Sequence, residues 1–204
     1  MERPFRREPE GLFSVREDAQ GQVPMQWERE REWGKAVSAV DAGFLALPQE
    51  KAHRLRTLSR AMIALKENMQ HLVAQVDASE LCAGCGGACC VCGKYHFTAV
   101  DLLVYLSTRE PLFSPRFDNG LCPYLGEPNC LAPAGYRPFN CITFNCELIE
   151  DRLAQSEVAR FYLMERELRE LYAEIRSLFP GGAMDGPLLR GAAPSPELRT
   201  ATAF

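Results

Sequence analysis

Two long apolar seams frame the chain and leave few ways to fold it. Leu55, Leu58, Met62, Leu65, Met69, Leu72 and Val76 recur at alternating three- and four-residue steps. Lys, Arg, Glu and Gln fill the other positions, so the spacing predicts one face of a long helix over 49–78. Val158, Phe161, Met164, Leu168, Leu171, Ile175 and Leu178 repeat the pattern, and Pro180-Gly181-Gly182 is a stop signal. At roughly 1.5 Å per residue each seam is about 30 Å long. Seams of equal length can zip into an antiparallel hairpin and bring together the two ends of whatever lies between them. The competing use of such a seam is a coiled coil with a protein partner or a second copy of the chain.

What lies between is a run of cysteines. All nine fall between 82 and 146, and none is on either predicted helix. Cys82, Cys85, Cys89, Cys90 and Cys92 crowd into "CAGCGGACCVC", and Cys122, Cys130, Cys141 and Cys146 follow. Two residues between thiols let the backbone turn so that both sulfurs face one centre. Gly84, Gly86 and Gly87 supply the conformational freedom such turns need. Backbone N–H groups of a glycine-rich loop also offset the charge of thiolates. Adjacent Cys89 and Cys90 point in different directions, which suits two metal ions or a polynuclear cluster better than one small ion. A closed zinc site takes four ligands and an iron–sulfur cluster about four thiolates. With one cysteine set aside, the remaining eight would fill two such sites.

Other uses of these thiols fit less well. Inert core cysteines do not arrive as CxxC followed by CC. An odd number of cysteines is not a fully paired disulfide framework. A thioredoxin-type pair expects a preceding strand, whereas "VDASELCAGCGG" reads as the end of a helix. Nucleophilic catalysis would want a cysteine beside a histidine. His96 lies near Cys92 in sequence, where it is either an ordinary packed residue or a further ligand of a mixed site.

The second group has its own order. "YRPFNCITFNC" places Arg137 just ahead of Cys141, where a guanidinium could donate hydrogen bonds to a thiolate-rich centre. A plain surface salt bridge is the alternative for Arg137. Cys146 falls at the start of the C-terminal helix, where the helix dipole would favour a thiolate. Thr98 and Asp101 form a capping box ahead of "LLVYL", predicting a short helix over 98–108.

The expected architecture is therefore mainly α: a helical hairpin, with seams over 55–76 and 158–178, carrying an irregular cysteine-rich module. The boundaries read as a loose N-terminal arm over 1–34 with a short helix around "MQWEREREW", a helical segment over 35–78 in which Val37, Val40 and Phe44 suggest a short helix ending before Pro48, and the module over 79–146. A C-terminal helix over 147–179 and a disordered tail over 180–204 complete it.

Bulk properties narrow the setting. With 23 basic and 27 acidic residues the net charge is −4, which gives no basic face for nucleic acid or an anionic membrane. No apolar run approaches a membrane span, and the charged start "MERPFRREPEGLFSVRED" is unlike a secretory signal. The expectation is a cytoplasmic protein, in a compartment that keeps thiols reduced.

"CAGCGGACC", then "CPYL", then a further cysteine, then "YRPFNC" resemble the CxxCxxCC family of zinc- or iron-chelating cysteine-cluster proteins. The resemblance covers about residues 82–146. It implies ligands at Cys82, Cys85, Cys89, Cys90, Cys122, Cys130 and Cys141, with Cys146 as an eighth, and matches the family's Arg-Pro to Arg137 and Pro138. This chain has three residues before the CC pair where the family has two, and Cys92 is extra. A similar module in flagellin lysine N-methylases is thought to carry an iron–sulfur cluster. No glycine-rich motif for a methyl donor stands here, so that activity is not carried over. The resulting expectation is a chelator of an iron–sulfur cluster, or of zinc. The rivals are a zinc-stapled adaptor and a redox or group-transfer enzyme that uses the cluster.

Overall fold

The computed structural model describes residues 26–84, 96–117, 122–126, 130–179, 181, 184 and 186–189. Those residues belong to one compact unit, Gln26–Arg190. They are mainly helical, and the described residues contain isolated β-bridges but no strand. No helix among them is long and apolar enough to cross a membrane.

The first helix, α1 (Gln26–Leu45), is longer than expected. The loose arm predicted over 1–34 is already helical from Gln26. Trp33 and Val40 are buried, and Ala36, Val37 and Phe44 pack on the same core. These residues recur every three or four positions and form one face. Trp33 supplies what the polar stretch around it lacks. Its ring sits among Phe97, Phe113 and Tyr124 at centroid distances of 5.5, 6.1 and 5.9 Å, a spacing typical of stabilising aromatic pairs. Residues 1–25 of the predicted arm lie outside the described residues.

Pro48 caps the start of α2 (Gln49–Ala74), which carries the first seam. Leu55, Leu58, Met62, Leu65, Met69 and Leu72 are buried, while Val76, just past the helix, is partly covered. The second seam lies on α7 (Gln155–Ser177) and buries Phe161, Met164, Leu168 and Ile175. The two helices pack lengthwise. Lys51 Nζ donates to the Leu178 carbonyl at 3.3 Å, and Arg54 is bonded to Glu174. The start of α2 therefore meets the end of α7, and the pair is antiparallel. The seams face each other within one chain.

Asp77 adopts a left-handed conformation (φ 53°) after α2 and redirects the chain into α3 (Ala78–Gly84). Asp tolerates this region better than most residues. The third strong element, α4 (Ala99–Thr108), begins with the predicted capping box: Thr98 Oγ1 accepts from the Asp101 N–H, and the Asp101 carboxylate accepts from the Thr98 N–H. Ala99 through Tyr105 are all buried. A helix apolar on every side must be enclosed, and α4 packs against α1, α2 and α7.

A 3-10 turn, Ala134–Tyr136, then lies against α2. Gly135 makes that approach possible, because a Cβ there would sit 2.6 Å from Ile63 Cγ2. Two short helices follow, α5 (Phe139–Thr143) and α6 (Glu147–Glu150).

The single C-terminal helix predicted over 147–179 is broken. A turn at 151–154 separates α6 from α7, whose start is fixed by the Glu157 carboxylate accepting the Ala154 N–H at 2.9 Å. The tail predicted over 180–204 is also corrected in part. Met184, Leu188 and Leu189 are buried, and the Leu188 N–H bonds the Phe97 carbonyl at 2.9 Å. A short apolar dipeptide after Gly186-Pro187 was enough to dock this segment beside the start of α4. Residues 190–204 lie outside the described residues.

Candidate metal centre

Five cysteines fall among the described residues: Cys82, Cys122, Cys130, Cys141 and Cys146. Cys82 is on α3, exposed. Helix α3 packs against α2 and α6, and Cys146 is the residue that caps α6. Cys146 is half-buried. The helix that Cys146 starts is the single turn α6, not the long C-terminal helix expected from the sequence.

Cys130 forms an isolated β-bridge with Leu125, three residues after Cys122. The Leu125 N–H donates to the Cys122 carbonyl at 3.0 Å, and the Leu131 N–H donates to the Tyr124 carbonyl at 2.8 Å. Cys122 is buried and Cys130 half-buried. Between them Tyr124 is 1% exposed. Burial pushes its phenol far up from its ordinary value, and the charges of Cys122, Asp101 and Cys141 push the same way. Tyr105 is raised likewise, first by burial and then by Cys130; its hydroxyl is buried without a hydrogen-bond partner.

Cys141 lies on α5, exposed, and His96 Nδ1 is 3.3 Å from its Sγ. His96, read in the sequence as a neighbour of Cys92, is brought to Cys141 instead. Burial lowers the His96 pKa, opposed by the charge of Asp101, which favours neutral imidazole, the form that binds metals.

The backbone under Cys141 is held by a buried ion pair that the sequence did not advertise. Lys66 Nζ, on α2, lies 3.2 Å from Asp101 Oδ1, on α4, and both side chains are buried. Lys66 also donates to the Arg137 carbonyl at 2.6 Å, and Asp101 Oδ1 accepts the Phe139 N–H at 3.0 Å. The Arg137-Pro138-Phe139 segment is therefore gripped on both sides of its proline, immediately before α5. Tyr172 of α7 adds a bond to Thr98 Oγ1 at 2.8 Å and stacks near Phe139 at 4.7 Å. Lys66 follows Met62 by four residues and precedes Met69 by three, so a lysine on the apolar face was the missed signal.

Arg137 donates through Nη1 to Gln70 Oε1 on α2 at 2.6 Å, while its Nε is buried without a partner. Among the described residues it forms no salt bridge. Asn145 Nδ2, next to Cys146, is a second buried donor with no partner.

Cys85, Cys89, Cys90 and Cys92 lie outside the described residues. Among the described residues, no three His, Cys, Asp or Glu side chains converge closely enough to hold a metal ion. Comparison with family models, curated proteins and solved structures gives no match.

Proposed function

We propose that the chain is a metal chelator whose clustered thiolates hold an iron–sulfur cluster. Cys82, Cys85, Cys89, Cys90, Cys122, Cys130, Cys141 and Cys146 supply the thiolates, enough for two four-ligand centres. The observation that carries this reading is where the described chain stops before residues 85–95 and resumes after them. It stops at Gly84, on the helix that bears Cys82 and packs against α6, capped by Cys146. It resumes at His96, in contact with Cys141. Cys85, Cys89, Cys90 and Cys92 fall in sequence between these two points.

The chemistry of the surroundings fits such a group. Arg137 Nε and Asn145 Nδ2 are N–H donors buried without acceptors in the segment that carries Cys141 and Cys146. An unpaired buried donor is costly, and a thiolate-bound centre, which is rich in negative charge, is the acceptor these donors lack. A reducing cytoplasmic setting suits ligands that must stay thiolates.

Zinc is the second reading, and the His96–Cys141 contact favours it, because zinc takes mixed Cys and His sets readily. In that case the metal staples the module and the protein acts as an adaptor. Its partner would meet faces other than the seams, which are turned inward. Anaerobic purification with elemental analysis and a visible spectrum separates the readings. A brown protein containing iron and sulfide supports the cluster; a colourless one with stoichiometric zinc supports the staple. Protein free of both metals, with its cysteines linked to one another by mass spectrometry, overturns chelation altogether.

A further inference from the structure

We infer that His96 Nδ1 and Cys141 Sγ bind the same metal ion, so that the centre is a mixed nitrogen–sulfur site. This rests on the chelation reading above and adds a ligand to it.

The separation is the first reason. In a tetrahedral zinc site, Zn–S and Zn–N bonds of about 2.3 and 2.0 Å put the two ligand atoms about 3.5 Å apart. The observed 3.3 Å lies a few tenths of an ångström inside that edge. One ion can therefore be reached by both atoms with a small opening of the pair.

The second reason is how firmly each donor is placed. His96 leads into Phe97, fully buried, whose carbonyl is bonded by Leu188, and into Thr98, held by the capping box and by Tyr172. Cys141 follows the segment gripped by Lys66 and Asp101. Asp101 takes part in both anchors: one oxygen accepts from Thr98 and the other from Phe139. The two donors are thus positioned by a common buried carboxylate, a rigid support of the kind ligand pairs require.

The third reason is economy of donors. A simple S–H···N hydrogen bond would also bring these atoms to this distance. Arg137 and Asn145, four residues either side of Cys141, carry buried N–H donors without acceptors, and a thiolate-rich centre in that segment would supply negative charge to them.

The test uses the full chain, purified without oxygen and loaded with zinc, and reads X-ray absorption at the zinc edge. The chain holds three histidines, and His53 and His71 are both on α2. The expected result is one imidazole ligand among sulfurs in the wild type, retained in His53→Ala and His71→Ala and lost in His96→Ala. Zinc affinity of His96→Ala, measured by chelator competition, should fall roughly tenfold or more with its helicity retained. Zinc bound by sulfur alone in the wild type overturns the inference and leaves chelation standing, whatever the variants do. A chain that binds neither zinc nor iron overturns both.

Discussion

Lys66 Nζ and Asp101 Oδ1 meet 3.2 Å apart in the interior, joining α2 to α4 beneath the segment that leads to Cys141. Their environments are unequal. Asp101 also accepts from the Thr98 N–H, the Thr98 hydroxyl and the Phe139 N–H, whereas Lys66 has the carboxylate and one carbonyl.

Removing the acid should therefore hurt more than removing the base. Asp101→Ala strands a buried ammonium and breaks the cap of α4, and should cost about 3–5 kcal/mol in urea unfolding followed by circular dichroism. Lys66→Met keeps the volume and leaves Asp101 three donors, so a smaller loss is expected. The double variant should lose less than the two singles combined. Strict additivity would mean that the two charges do not interact in solution.

Gly135 gives a second, independent test of how the module is seated. Gly135→Ala places a methyl 2.6 Å from Ile63 Cγ2 and 3.2 Å from Glu67 Cγ. The turn that precedes Arg137 must then lift from α2, at about 1–3 kcal/mol. Adding Ile63→Ala removes the blocking methyl, so the double variant should recover part of the loss relative to Ile63→Ala alone. A Gly135→Ala protein as stable as wild type would show that the turn does not lie this close.

The helical frame was legible because burial leaves a periodic signature. Leu55 to Leu72 and Phe161 to Ile175 face each other as their spacing requires, and Thr98 and Asp101 cap α4 as a capping box should. The signal failed where one residue or one bond decided the outcome. Trp33 ties the short helix expected around "MQWEREREW" into the longer α1, and Met184, Leu188 and Leu189 are buried in a segment otherwise composed like a free tail. The break before α7 rests on a single Glu157 carboxylate. At the site, the pairing of His96 with Cys141 joins residues 45 apart, and no local pattern encodes such a contact. Lys66 was hidden because charged residues are read as solvent-facing, although its spacing from Met62 and Met69 puts it on the buried side.

The ligand assignment makes a prediction about two cysteines separated by a single residue. Cys90 belongs to the CC pair and Cys92 is the member that the CxxCxxCC resemblance leaves over. Cys90→Ser should lose metal and lower the thermal stability of the protein, while Cys92→Ser should keep both. Metal-to-protein ratios after anaerobic purification decide it, and equal loss in the two variants would show that the assignment is wrong.

The break between α6 and α7 is bridged by Tyr162, whose hydroxyl donates to Glu150 Oε1 at 2.6 Å. That hydrogen bond, helped by burial and by the charges of Glu150 and Glu165, raises the phenol from its ordinary 10.0 to about 12. A raised acid holds its proton longer in the folded state than in the unfolded one. The linked stabilisation is therefore complete below about pH 10 and is lost as pH rises through about 12. Tyr162 is 45% exposed, so the readout is its own titration rather than global stability. Ultraviolet phenolate absorbance of wild type minus Tyr162→Phe isolates this residue among the six tyrosines. At about pH 11 it should be mostly protonated in the wild type and clearly more ionised in Glu150→Gln, where the carboxylate acceptor is gone. A wild-type midpoint near 10 would mean that α6 and α7 are not joined by this bond in solution.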